Sequence, residues 1–372
     1  MRLAWRNLSH DRLRFAVTVV GIVFAVFLMI FQGSLLAGFV RSASRIIDVS
    51  DADIWIVARG VPCFEFSAML PDRFRELARG VEGVAEVSRV AAGLSSWQAP
   101  SGARQLVTVV GAEAGAGRRF PLPRLFDGAD VTGPQTVLID RSNATPLEAT
   151  APPVEVEINR HRAHVERAVE GFGSFLGSPY VFASYTDTAD YLGLGREETM
   201  FLLVRVAPGY VTEEVKRGLQ ARLPETDVWT REEFASRARD FWLNQTGAGG
   251  TIMLAGLLGF LVGLVVVSQT IYSTTMDNLE EFATLKALGA PRRYVQRVVL
   301  MQALVSGTVG SFAGLAVTLP LLGLARQGIP WIYTPWWLPV GMIGLSLVMC
   351  CLASLVSIRK AVTVEPGRVF RA

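Results

Sequence analysis

Few residues in this chain are suited to covalent or metal chemistry. The only lysines, Lys216, Lys286 and Lys360, are followed by Arg217, Ala287 and Ala361, so the Lys-Ser/Thr end of a Walker A phosphate loop is missing. ATP-driven work would therefore need a separate ATPase. The histidines are His10, His161 and His164; the last two stand at i, i+3 without a Glu-bearing zinc motif beside them, which reads as a solvated face. No G-x-S-x-G nucleophile elbow occurs. Cys350 and Cys351 lie in an apolar run and Cys63 stands far from them, so the segment around Cys63 closes no disulfide within itself. The reading is a non-enzyme: no catalytic residue, no bound cofactor, no metal.

The elements that carry these residues are set by a membrane. Hydrophobic residues make up 51% of the 372, charged ones only 19%, and the mean hydropathy is +0.35, whereas soluble chains carry about a quarter charged residues. Four windows lack any Asp, Glu, Lys, Arg or His: Phe15 to Val40, Phe241 to Met276, Val298 to Ala325 and Gln327 to Ile358. Each exceeds the ~20 apolar residues that cross a bilayer core. Without a buried charge they offer no proton relay or ion path, which speaks against ion-coupled transport and channel conduction. The first window is too long for the core of a cleaved signal peptide.

Charge orients the spans. Residues 1–14, 277–297 and 359–372 together hold twelve basic against five acidic residues, the bias of cytoplasmic segments. Both termini are expected inside, with the long intervening segment outside. The net charge of +3 sums two compartments and implies no nucleic-acid partner. The expected order is a cytoplasmic amphipathic start (1–14), a first membrane helix (15–40), an outer domain (41–246), a second helix (247–276), a cytoplasmic loop (277–297), a third helix (298–325), a short outer loop (326–337), a fourth helix (338–358) and a cytoplasmic tail (359–372). Trp331, Tyr333, Trp336 and Trp337 crowd the short outer loop as an aromatic belt would.

The long segment is large enough for its own core. Strands are predicted over 53–58, 83–90, 105–111, 136–140, 154–158, 201–207 and 227–229, and helices over 71–79 and 211–223. The helix-then-strand unit occurs twice around a strand-rich middle, giving an α+β domain with two lobes. Thr230 and Glu233 have capping-box spacing for a helix that carries Phe234, Ala238, Phe241 and Trp242. Gly259-x-x-x-Gly263 and Gly310-x-x-x-Gly314 are spacings that let helix backbones approach in lipid, within one subunit or between two.

The segment from Met276 to Pro291 carries Leu279, Phe282, Leu285 and Leu288 at i, i+3, one apolar side of a short helix. Acidic residues open it, Lys286 closes it, and Gly289 can supply a left-handed stop. It reads as a docking handle or as a helix lying on the bilayer surface.

With the amphipathic start Leu3 to Leu8, the Gly21-Ile22-x-Phe24-Ala25-Val26 and Asp53-Ile54-Trp55 stretches, the Glu281-Phe282-Ala283-Thr284-Leu285-Lys286-Ala287-Leu288-Gly289-Ala290 loop and the Ser357-x-Arg359-x-Ala361 tail, the chain resembles MacB/FtsX-type ABC transporter permeases, most of all the DevC-like branch. The resemblance implies a permease dimer in a bacterial inner membrane, with the 41–246 domain in the periplasm and 277–297 as a cytoplasmic coupling loop, that binds an ABC ATPase carrying ATP and Mg. It implies that Glu281, Phe282, Leu285, Lys286, Leu288, Gly289 and Ala290 couple to that ATPase. Mechanotransmission to the periplasmic domain would then export lipid, glycolipid or peptide cargo, with a membrane-fusion adaptor and an outer-membrane channel as possible partners. A lipoprotein-releasing or cell-division permease of the same family, or a peptide sensor, would share these features.

Overall fold

The computed structural model describes residues 12–113, 133–195, 198–277, 284 and 291–363. It divides into two compact units, one of membrane-type helices (Met1–Gly38, Gly250–Arg326 and Ile332–Ala372) and one α+β domain (Phe39–Gly249 with Gln327–Trp331).

In chain order the helices are α1 (Arg12–Ser42), α2 (Arg45–Val49), α3 (Arg73–Arg79), α4 (Tyr185–Leu192), α5 (Thr212–Arg222), α6 (Arg231–Asp240), α7 (Ala248–Asp277), α8 (Arg292–Gly328) and α9 (Trp337–Thr363). The spans Phe15–Ser42, Ala248–Ser273, Gln296–Gly328 and Trp337–Leu355, within α1, α7, α8 and α9, are long and apolar enough to cross a membrane. Helix α8 reaches back to Arg292, so the end of the segment expected as loop 277–297 is helical. Pro291 stands just before it and its carbonyl accepts from Tyr294 N at 2.8 Å, a start that proline's fixed φ favours.

The strands are β1 (Ile54–Ala58), β2 (Leu70–Pro71), β3 (Val84–Gln98), β4 (Arg104–Ala112), β5 (Thr136–Asp140), β6 (Val154–Ile158), β7 (His161–Val169), β8 (Tyr180–Ser184), β9 (Glu198–Thr199), β10 (Phe201–Val206) and β11 (Thr226–Thr230). Nine of them form one sheet in the order β11-β1-β10-β3-β4-β8-β5-β7-β6, and β2 pairs with β9 separately. A further pairing of Trp97 with Ile158 and Gln98 with Glu157 returns β6 to the far end of β3. Strands β3, β4, β8, β5, β7 and β6 thus close a ring around Trp97, Val107, Val109, Val137, Ile139, Ile158, Val165 and Val181.

The first half of β3 belongs instead to an open sheet, pairing Val90 with Phe201 and Val87 with Val204. There α3 and α5 lay Phe74, Ala78, Val215 and Leu219 over Ile54, Ile56, Val87 and Leu202. On the opposite face Trp55 packs against Phe234 of α6 (ring centroids 5.5 Å apart) and Phe201 (5.7 Å). Trp55 and Ile54 are both fully buried, because alternate residues of a strand covered on both sides enter two different cores. The two cores therefore share β3, which runs past the boundary predicted at residue 90.

Six of these elements had no counterpart in the predicted set: α2, β2, β7, β8, α4 and β9. Strand β7 buries Ala163 and Val165 between Arg and Glu residues, and a small alanine is a weak periodic signal. Helix α4 carries clearer marks: the Ser184 hydroxyl accepts from Asp187 N at 3.1 Å, and Gly193 ends the helix at φ +66°, a conformation glycine adopts without a Cβ penalty.

Candidate functional site

The residues assigned to ATPase coupling, Glu281, Phe282, Leu285, Lys286, Leu288, Gly289 and Ala290, lie outside the described residues. Thr284 is helical and exposed.

The glycines of the helical unit have a definite geometry. A Cβ built on Gly263 would stand 2.7 Å from the Ala25 Cβ; one on Gly310, 2.6 Å from Ile22 Cγ2; one on Gly314, 2.9 Å from Val26 Cβ. Gly259 is looser, 3.6 Å from Leu28 Cβ. Both α7 and α8 therefore approach α1 at backbone distance, each through small residues on one helical face. Side-chain bonds that join different segments of the unit are between hydroxyls: Thr334 donates to Ser34 at 2.9 Å, and the Ser311 and Ser346 side chains bond to each other where α8 meets α9. Such bonds fix helices against one another.

The α+β domain carries a second feature, which the sequence reading missed. Phe64, Glu65 and Phe66 run beside the outer face of β3 and β4. With Ala92, Leu94, Leu106, Thr108, Leu176 and Ser178 they line a pocket of about 560 Å³. Glu65 Oε1 accepts from the Tyr180 hydroxyl at 3.2 Å and Oε2 accepts from Trp242 Nε1 at 3.2 Å. Burial raises the Glu65 carboxyl above its ordinary range, against the pull of these donors. Burial, then the Glu65 charge, push the Cys63 thiol up to about 12, and the same two causes raise the Tyr180 hydroxyl. The available signal was an acidic residue between two phenylalanines, in a stretch with no strand or helix period.

His161 and His164 stand apart from this pocket on β7. The His161 ring packs edge-on to Tyr191 at 6.1 Å, and His164 Nδ1 lies 3.9 Å from Glu155 Oε1.

Four apolar spans with a large α+β domain inserted after the first define a polytopic membrane subunit built around that domain. A model of the MacB-like periplasmic core domain matches residues 15–222, and one of the FtsX-like permease C-terminal region matches residues 253–366. The chain belongs to the MacB/FtsX family of ABC transporter permeases.

An uncharacterized ABC transporter permease of Mycobacterium tuberculosis is 24% identical over 379 residues, covering 99% of this chain and 98% of that one. Another, from Mycobacterium bovis, is 22% identical over 368 residues, covering 98% and 96%. Among solved structures, the periplasmic region of MacB from Actinobacillus actinomycetemcomitans aligns with TM-score 0.37 and 11% identity, over 50% of this chain and 92% of that one. The extracellular domain of the noncanonic ABC-type transporter YknZ from Gram-positive bacteria aligns with TM-score 0.32 and 13% identity, over 43% and 89%.

Proposed function

We propose that this permease transmits the ATP-driven motion of a separate ATPase to its large domain, and so exports or extrudes lipid, glycolipid or peptide cargo. The supporting observation is the helical unit itself. The central windows of its spans, Phe15 to Val40, Phe241 to Met276, Val298 to Ala325 and Gln327 to Ile358, hold no Asp, Glu, Lys, Arg or His, and Gly263, Gly310 and Gly314 seat α7 and α8 against α1 at backbone distance. A body of that kind suits a lever and offers no polar route for a substrate. The proposal includes a permease dimer, an ABC ATPase holding ATP and Mg, both termini in the cytoplasm, DevC-like working with an adaptor and an outer-membrane channel, and the 277–297 segment as the ATPase contact.

The test is co-purification of the ATPase encoded beside this chain, with ATP turnover in nanodiscs. Phe282→Ala/Leu285→Ala removes apolar surface worth roughly 1.5 to 3 kcal/mol per side chain, so recovery of the ATPase should fall about tenfold or more. Gly289→Val should also reduce it, because a β-branched residue resists the left-handed stop. Equal recovery and turnover in all three proteins would overturn the coupling assignment.

A further inference from the structure

The pocket beside Glu65 combines an apolar wall that folding leaves in water with a carboxylate that folding leaves without a cation. Alternation along β3 and β4 sends Val107, Val109 and Trp97 into the ring core and sends Leu94 and Leu106 out the other side. There they are 63% and 60% exposed, and Phe66 is 54% exposed. A solvated strand face ordinarily carries polar residues, and clustered large apolar side chains on one mark a binding surface. The volume of about 560 Å³ falls in the range of small-molecule sites, ~300–1,000 Å³.

At the polar end, the partners that hold the Glu65 carboxylate are neutral: the Tyr180 hydroxyl, the Trp242 indole and the Cys63 thiol. Among the described residues no lysine or arginine contributes to its electrostatics. A half-buried carboxylate without a counter-charge is costly, and a ligand that brings the positive charge removes that cost.

We infer that this pocket binds a hydrophobic cation, a small molecule whose apolar body lies on Leu94, Leu106 and Leu176 and whose protonated amine reaches the Glu65 carboxylate. The open ring of Phe66 beside Glu65 adds an aromatic face of the kind that attracts ammonium groups. The occupant's role as cargo rests on the transport reading above; its binding does not.

The experiment titrates the full chain in nanodiscs with dansylcadaverine, whose fluorescent apolar body carries a primary amine, and with its N-acetyl derivative, which has the same body and no charge. Empty nanodiscs give the blank. Dansylcadaverine should bind saturably, and the acetylated form at least tenfold more weakly. Glu65→Gln, which keeps an acceptor for Trp242, should weaken dansylcadaverine at least tenfold and leave the acetylated form unchanged. Leu106→Ser alters an exposed side chain outside both cores and should weaken both probes severalfold at an unchanged melting temperature. Equal affinity for the two probes would overturn the charge assignment. Unaltered binding in a folded Leu106→Ser protein would overturn the pocket, including where Glu65→Gln fails to fold. No ATPase is present, so loss of coupling and loss of binding are read separately.

Discussion

Lys216 Nζ bridges both carboxylate oxygens of Glu233, at 2.5 and 2.6 Å, and so ties α5 to the first turn of α6. The same carboxylate accepts from Thr230 N at 2.8 Å while the Thr230 hydroxyl accepts from Glu233 N at 3.2 Å. One side chain thus completes a capping box and neutralises the buried Lys216. Burial opposes the Glu233 charge, but the bonds from Lys216 and Thr230 outweigh it and hold the carboxyl below its ordinary range.

Glu233→Gln should therefore destabilise the α+β domain by about 1–2 kcal/mol at neutral pH, below the ~3–5 kcal/mol of a fully buried pair broken on one side, because the Glu233 side chain is 40% exposed. The sign with pH follows from the lowered folded value: the contribution is present above the ordinary carboxylate range and is lost as pH falls through the folded value. Denaturant midpoints of wild type and variant, read by tryptophan fluorescence, should converge in acid. A constant gap across pH would contradict this assignment.

Glu65 should do the reverse. Its carboxyl is raised in the folded state, so folding takes up a proton between the unfolded and folded values, and stability falls as pH rises through that window. At pH 7 to 8 Glu65→Gln should melt at or above the wild-type temperature, and the advantage should shrink as the solution is acidified toward the ordinary carboxylate range. A variant that is less stable at every pH would show that the ionised form is the one the fold favours.

Side chains added to the glycine seams should cost what overpacking costs, about 1–3 kcal/mol. Gly310→Leu drives into Ile22, and Gly263→Leu into Ala25, whereas a Cβ on Gly323 meets nothing within 4 Å. Thermal aggregation of detergent-solubilised protein should start earlier for the first two, with Gly323→Ala unchanged. Equal behaviour of all three would place α7 and α8 away from α1.

Topology is checked by labelling. On a background without Cys63, Cys350 and Cys351, an impermeant maleimide added to intact spheroplasts should modify Ser101→Cys and spare Thr284→Cys, both positions being exposed. Inverted labelling would reverse the orientation drawn from the charge bias.

The spans were legible because an apolar run of bilayer length admits one structure in lipid. Much of the α+β domain was legible for a local reason too: Val215 and Leu219 repeat with helical period, and Thr230 with Glu233 marks a helix start. Other features depend on distant segments. The closure of β6 onto β3 rests on Trp97 meeting Ile158, a pairing that no local pattern specifies. Two lobes were expected from the repeated helix-strand unit, and the open sheet and closed ring are joined through β3 because that strand continues to Gln98. Glu65 escaped notice because its partners, Tyr180 and Trp242, come from segments more than a hundred residues away.

Strands β1 and β11 lie side by side, with Ile54 opposite Thr230. The first receives the chain from α1 and α2, and the second delivers it to α6 and α7. The polypeptide thus enters and leaves the sheet through neighbouring strands at one of its edges, with α2 and α6 as the flanking parts of the same domain. A module attached in this way can be exchanged for another, or for a short turn, with little change in the entropy of closing the chain, which grows only slowly with the length of the insert. A chimera carrying a different sheet domain on the four membrane-type helices would therefore take its junctions near Phe39 and Gly249, so that α2 and α6 stay with the unit they belong to.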